Sequence, residues 1–238
     1  TAVVLAASGN SPLLFGRRLW EETRIALFRQ SVDDRADVTG DDWRPARVSF
    51  GHGWVRRGAA ELFAEAIAMH APLLPVLGPE DPLDVVARGE LPGLAELRLH
   101  NGTLWRWNRA IYDDAEGGHL RVELRALPAG PTTIDAVANA AFAVGLTLGL
   151  ARDAEALVSR ITFGQARRNF YEAARAGLAA RLLWPCDVAP SPRPVDAREL
   201  ALDLLPVARA GLVEGGVEED EIDRLLGVIE RRVETGRT

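Results

Sequence analysis

From His119 to Arg125 the chain reads His-Leu-Arg-Val-Glu-Leu-Arg, alternating charged or polar with apolar residues at every step. A period of two is the pattern of a strand with one polar and one buried face. It sets Arg121, Glu123 and Arg125 on one side, with Leu120, Val122 and Leu124 turned to a core. Pro128 and the Gly130-Pro131 pair end the strand, and a nearly uncharged stretch from Thr133 to about Ala151 reads as a buried helix. A helix that apolar is not peripheral, so the strand is expected near the centre of its sheet. Two arginines around one glutamate suit a metal ion beside phosphate oxygens. They equally suit a salt-bridged face looking at water, and the row alone does not choose.

With 238 residues, 47% hydrophobic and 26% charged, the chain is long enough for one full core, or for a core and a small appendage. A formal charge of −6 argues against nucleic acid or an anionic membrane as partner. One cysteine, Cys186, excludes an internal disulfide framework and a cysteine-rich metal site, and points to the cytoplasm. All 28 basic residues are arginine. Without lysine there is no P-loop lysine, Schiff base or lysine general base. Any phosphate or carboxylate must be gripped by arginine forks, helix N-termini or metal.

Residues 1–7 read as a buried strand, followed by the turn Ser8-Gly9-Asn10-Ser11-Pro12 and a helix from about Arg17 to Gln30. In that helix Trp20, Thr23, Arg24 and Leu27 form one stripe. Residues 31–46 are an Asp-rich loop without EF-hand spacing. A short strand at Val48–Phe50 precedes a helix from Ala59 to His70 burying Leu62, Phe63, Ala66 and Met69. At its end His70 reads as a cation favoured by the helix dipole. Five prolines make 71–95 a connector with one short helix near 83–88. Arg98 to Arg109 alternates again, placing Thr103, Trp105, Trp107 and Arg109 on one face. A turn at Asp113–Gly118 pairs this strand with His119–Arg125 as an antiparallel hairpin across which His100 and His119 can meet. A further amphipathic helix carries Phe163, Phe170 and Gly177. Trp184 to Pro194 reads as a proline-rich linker, and two helices close the chain, one kinked at Pro206.

No His/Cys cluster has zinc-ligand spacing, and neither Ser8 nor Ser11 stands in a nucleophile elbow. The pair Trp105/Trp107 reads as core, or more sharply as a stacking platform for a base.

Taken together, three segments resemble a known family. Ala7-Ser-Gly-Asn-Ser-Pro12 with Gly16-Arg17 resembles the Asn-Ser-Pro segment of bacterial and plant glutamate–cysteine ligases and related carboxylate–amine ligases. Asn101-Gly-Thr-Leu-Trp105 with Arg109 resembles their Gly-Thr-x-Trp strand. Arg121-Val-Glu-Leu-Arg125 and the helix carrying Asn139 resemble the Arg-x-Glu-x-Arg strand and following helix of the glutamine-synthetase-like superfamily. The similarity runs in order over about residues 1–180, and Arg24 stands one residue off the family's helix arginine.

The resemblance implies an α+β, glutamine-synthetase-like catalytic fold, with antiparallel strands backed by helices and a C-terminal helical appendage. It divides the chain into 1–184 (ligase domain), 185–195 (linker) and 196–238 (appendage). It implies an ATP- and Mg²⁺-dependent ligase that phosphorylates the carboxylate of glutamate, or another acid, and passes the acyl group to an amine such as cysteine. Glu123 would ligate Mg²⁺, Arg121 would hold nucleotide phosphate with Asn10 and Trp105 beside the nucleotide, and Arg125 and Arg109 would be the catalytic anion clamps. A non-catalytic binding or assembly module keeping the fold is the alternative, as is a different acid and amine. The family's upstream glutamates and His-x-His strand do not occur in the sequence, so the resemblance is to a C-terminal half, expected to be inactive alone and completed by an upstream half or another copy.

Overall fold

The computed structural model describes residues 1–32, 44–186 and 191–238. The Asp-rich loop positions 33, 34, 37, 41 and 42 lie outside the described residues. In chain order the elements are α1 (Ala2–Ser8), β1 (Leu13–Leu14), β2 (Arg17–Arg18), α2 (Thr23–Ser31), β3 (Val48–Ser49), α3 (Ala60–Met69), α4 (Pro82–Ala87) and α5 (Ala95–Gly102). They continue with β4 (Trp105–Arg106), β5 (Asn108–Asp113), β6 (His119–Leu124), α6 (Thr133–Gly149), α7 (Ala154–Arg160), α8 (Phe163–Ala176), β7 (Arg181–Trp184), β8 (Arg193–Asp196), α9 (Ala197–Glu214) and α10 (Glu219–Thr235). Helices and small sheets mix, an α+β composition. Among the described residues the strands form four two-stranded sheets, three antiparallel and one, β3–β4, parallel.

The chain forms two compact units, residues 1–27 with 126–238, and residues 28–125. The first is a helical bundle. Its opening element is a helix, not the expected strand. An apolar run of six, Ala2–Ala7, carries no periodicity to separate a buried strand from a helix buried all round. Val3 to Ser8 are all buried, and the Ser8 hydroxyl bonds back to the Val4 carbonyl at 2.5 Å. The stripe expected on the next helix is shifted, since Ile25 is fully buried while Leu27 is 44% exposed.

Around the long helix α6 the packing is backbone on backbone. Gly145 and Gly149 on α6 face Ala208 and Gly211 on α9, and a Cβ added at Gly145 would sit 2.5 Å from the Ala208 carbonyl oxygen. Helix α10 also packs on α6, burying Ile222, Leu225, Leu226, Ile229 and Val233. The closing helices are therefore part of this core, and residues 196–238 are not a separate appendage. Nor are residues 185–195 simply a linker, because β7 and β8 pair antiparallel across them from Arg181↔Asp196 to Trp184↔Arg193.

One buried ionic network ties α6 to α10. Arg232, 9% exposed, donates to the Asn139 side-chain oxygen at 2.6 Å and to Asp135 at 2.5 Å, and Asn139 donates to the Pro128 carbonyl at 3.1 Å. The hydrogen bond from Thr132 and the neighbouring Arg232 hold the Asp135 carboxyl below its ordinary range.

In the second unit Phe28 sits edge-on to Trp105 and Trp107, at 6.2 and 5.9 Å between ring centroids. Helix α3 buries only Ala66 completely; Leu62, Phe63 and Met69 are half-buried. The expected strand from Arg98 begins as helix α5, because Ala95-Glu-Leu-Arg-Leu99 are strong helix formers whose charges happen to alternate. The hairpin is present with the expected turn, β5 pairing with β6 from Asn108↔Leu124 to Asp113↔His119. Among the described residues, however, β6 pairs only with β5 and is not flanked on both sides as a central strand would be. Its apolar face is open, with Leu120 56% and Val122 60% exposed, against the expectation of a buried face.

His70 is buried rather than a helix-end cation. Burial first, then the charges of Arg106 and Arg47 and the nearby His52 and His100, lower its pKa from the ordinary 6.5 to about 4. A depressed histidine pKa makes protonation favour the unfolded chain. Stability is thus full above about pH 6.5 and declines as pH falls through that value towards 4, by about 3 kcal/mol at most. Urea unfolding at pH 7 and pH 4.5 measures this. Wild type is expected to lose more stability between the two than His70→Gln.

Candidate functional site

The candidate site is the polar face of the β5–β6 hairpin. Register places Arg109 opposite Glu123, Ile111 opposite Arg121 and Asp113 opposite His119, so all six share one face. Glu123 Oε2 is the focus. It accepts from Arg109 Nε at 2.9 Å and lies 2.8 Å from Arg109 NH2, with Arg125 Nε at 3.5 Å. Arg125 lies just past the end of β6, and its guanidinium carbon stands 6.0 Å from the centre of the Phe28 ring. Arg121 donates to Asp113 at 2.8 Å and lies 2.7 Å from His119 Nε2. That hydrogen bond, with one from the Ala115 amide, holds the Asp113 carboxyl below its usual range.

Helix α5 lies along the same face and encloses a cavity of roughly 250 Å³ lined by Arg98, Asn101, Arg109, Asp113 and Arg121, with Phe63, Leu97 and Ile111 among its apolar walls. Asn101 fixes the helix to the strand by donating to the Ala110 carbonyl at 2.7 Å. Three guanidinium groups and one carboxylate line this space, and each guanidinium is paired with a carboxylate, Arg98 with Asp114 at 2.6 Å, Arg109 with Glu123 and Arg121 with Asp113. Arginine forks match the oxygens of phosphate or carboxylate, so an anion entering here would compete with these carboxylates for the guanidinium groups. For a metal the fit is narrower. Glu123 offers one carboxylate, and among the described residues no group of three or more His, Cys, Asp or Glu could hold a metal ion. One carboxylate suffices for Mg²⁺ only when phosphate oxygens and water complete its shell.

Of the residues singled out from sequence, Arg109, Arg121, Glu123 and Arg125 are brought together. Trp105 is not beside them on that face; it pairs with Val48 in β3–β4 and packs its ring against Phe28. Trp107 is 1% exposed and belongs to the core. His100 and His119 do not meet across the hairpin, for His100 sits on α5 with Nε2 3.2 Å from the Ala66 carbonyl. Asn10 lies in the other unit. Its turn is locked by Ser11, whose amide donates to Glu21 at 3.0 Å and whose carbonyl accepts from Thr23 at 3.1 Å. The Asn10 amide donates to Glu22 at 3.4 Å. Glu22 is a fully buried carboxylate that the sequence did not single out. It is held by Arg24 at 3.0 Å, which also donates to the Ala126 carbonyl at 3.0 Å. Arg98 and Asn101 were missed as site residues because their segment read as strand. The helix-forming run at 95–99 was the available signal.

Arginines paired with carboxylates around a small cavity are a donor set of the kind used by enzymes that handle phosphorylated or carboxylate substrates. The sequence model of glutamate-cysteine ligase family 2 (GCS2) matches residues 1–238, and the chain belongs to that family. Membership makes it a ligase of the kind that forms amide bonds. No curated protein and no solved structure matches the chain. No single helix is long and apolar enough to cross a membrane among the described residues.

Proposed function

We propose that the β5–β6 face is the anion-binding part of an ATP-dependent carboxylate–amine ligase site, in a glutamine-synthetase-like fold, with glutamate as the acid and cysteine or another amine as acceptor. The observation that carries this reading is the cavity lined by Arg98, Arg109 and Arg121 beside Glu123. Activating a carboxylate as an acyl phosphate demands alignment and charge neutralisation more than a protein nucleophile, and fixed arginines supply both. Arg121 and Arg98 would hold phosphate oxygens, and Arg109, already turned inward by Glu123, would neutralise charge developing on the transferred group. Arg125 would steady the Glu123 carboxylate from its other side. Mg²⁺, when bound with the nucleotide, supplies further neutralisation of the phosphates, and Glu123 is the carboxylate that would hold it. The nucleotide would extend past this cavity towards residues of the same unit such as Trp105, and the setting would be the cytoplasm.

Titration calorimetry with pyrophosphate tests the anion site without requiring turnover. Binding is expected to weaken about 10-fold or more in Arg109→Ala and in Arg121→Ala, since each removes a charge-assisted contact of about 1.5–3 kcal/mol. Equal affinity in wild type and both variants would place the anion elsewhere.

A further inference from the structure

Of the three guanidinium groups that line the cavity, two are paired across the strands and one is paired to the turn. Glu123 meets Arg109 at two nitrogens, 2.9 and 2.8 Å away. The Asp113 carboxylate that accepts from Arg121 is itself fixed by the Ala115 amide at 3.1 Å. Arg98, on α5, meets Asp114 through a single contact of 2.6 Å. Asp114 stands on the turn between β5 and β6 and does not line the cavity, so it holds the guanidinium from outside.

The side chains of this pair are well exposed, Arg98 at 45% and Asp114 at 37%. Such a pair holds weakly, because water screens it and two flexible side chains must be ordered to make it. The turn that carries Asp114 is fixed. The Tyr112 hydroxyl donates to the Pro92 carbonyl at 2.6 Å, and Leu91 lies so close to Gly118 that an added Cβ would meet it at 2.6 Å. Breaking the Arg98 contact therefore needs only a change of side-chain rotamer, with no movement of the backbone.

We propose that Asp114 is a built-in competitor for the anion of this cavity, holding Arg98 until a phosphate oxygen takes its place. The inference rests on the anion-site reading of the cavity and adds how that site is regulated. A polyphosphate offers Arg98 a more highly charged acceptor than one carboxylate, and charge-assisted bonds to phosphate are among the strong ones. Arg109 and Arg121 are held by better-anchored carboxylates, so Arg98 is the first of the three to exchange. Once displaced, the Asp114 carboxylate stays close by as a like charge to the ligand. It therefore opposes binding first by occupying Arg98 and then by repulsion, and the site fills only when the ligand outweighs both.

Titration calorimetry with pyrophosphate at low salt, on the full-length protein that carries this chain, compares wild type with Asp114→Asn, Arg98→Gln and the double variant. Both substitutions keep side-chain size and lie on exposed positions, so the fold is expected to stand. Asp114→Asn is expected to bind about 3-fold tighter than wild type, within the range that an exposed ion pair contributes. Arg98→Gln is expected to bind more weakly. Adding Asp114→Asn to Arg98→Gln is expected to recover less than Asp114→Asn gains alone, because the group that Asp114 competes for is gone and only repulsion is relieved. An equal gain in both backgrounds means that Asp114 acts as a distant charge, and overturns the inference. Wild-type affinity in Asp114→Asn, with Arg98→Gln still weakened, overturns it while leaving the anion site in place. No binding by any of the four proteins removes the anion-site reading, and this inference with it.

Discussion

Replacing Gly211 with alanine is expected to destabilise the helical unit by about 3 kcal/mol or more, the upper end of overpacking costs. At this position an added Cβ would run into the Gly145 carbonyl oxygen and the Gly149 amide nitrogen, both main-chain atoms of α6. A flexible side chain can swing aside; a helix backbone moves only by separating α9 from α6. That separation would also loosen the contacts of Ala208 and Leu212, buried in the same seam. Urea unfolding followed by circular dichroism reads the change. Gly227→Ala on α10 is the control. A Cβ there meets only the far end of the Arg231 side chain at 3.3 Å, so removing a helical glycine should stabilise by several tenths of a kcal/mol. If Gly211→Ala unfolds with the wild-type midpoint, the helices are not in backbone contact.

A second large loss is expected for Arg232→Met. The substitution keeps most of the apolar stem and removes the guanidinium, leaving Asp135 without its cation and the Asn139 oxygen without its donor. Both carboxylate and guanidinium are nearly buried, with side chains 14% and 10% exposed. Removing one partner of a buried pair strands the other charge, at a cost of about 3 kcal/mol. Asp135→Asn in the same background relieves the stranded charge, so the double variant is expected to be less destabilised than the two single losses added together. Strict additivity would mean that the pair does not interact.

The same network shows what the sequence made legible. The amphipathic runs of α8 and α10, the nearly uncharged run of α6 from Thr133 and the β5–β6 hairpin with its turn all follow local patterns that tertiary contacts reinforce. Where local pattern was ambiguous, packing decided. Residues 2–8 are apolar at every position except Ser8, so only burial on all sides separates helix from strand. At Arg98–Asn101 alternation of charge mimicked a strand while propensity favoured the helix that forms. The row Arg121, Glu123 and Arg125 was readable because period two forces it onto one face. That Arg109 would close on Glu123 depended on register, and Arg98 on a helix packed across that face. Glu22 gave no signal, since its burial depends on a turn and on an arginine two residues away. The open apolar face of β6 was hidden for a different reason. Alternation says that two faces differ, and nothing in it says what covers either.

The central claim is that the arginine and glutamate row of β5–β6 serves ATP-dependent ligation. The most direct measurement is ADP release by the full-length protein that carries this chain, with Mg-ATP against a panel of acids and amines, beside Glu123→Ala. The account predicts release that depends on one acid–amine pair and falls about 100-fold or more in the variant, the scale for losing a group that stabilises charge in the transition state. Equal ADP release by wild type and Glu123→Ala, or none with any pair, would contradict it.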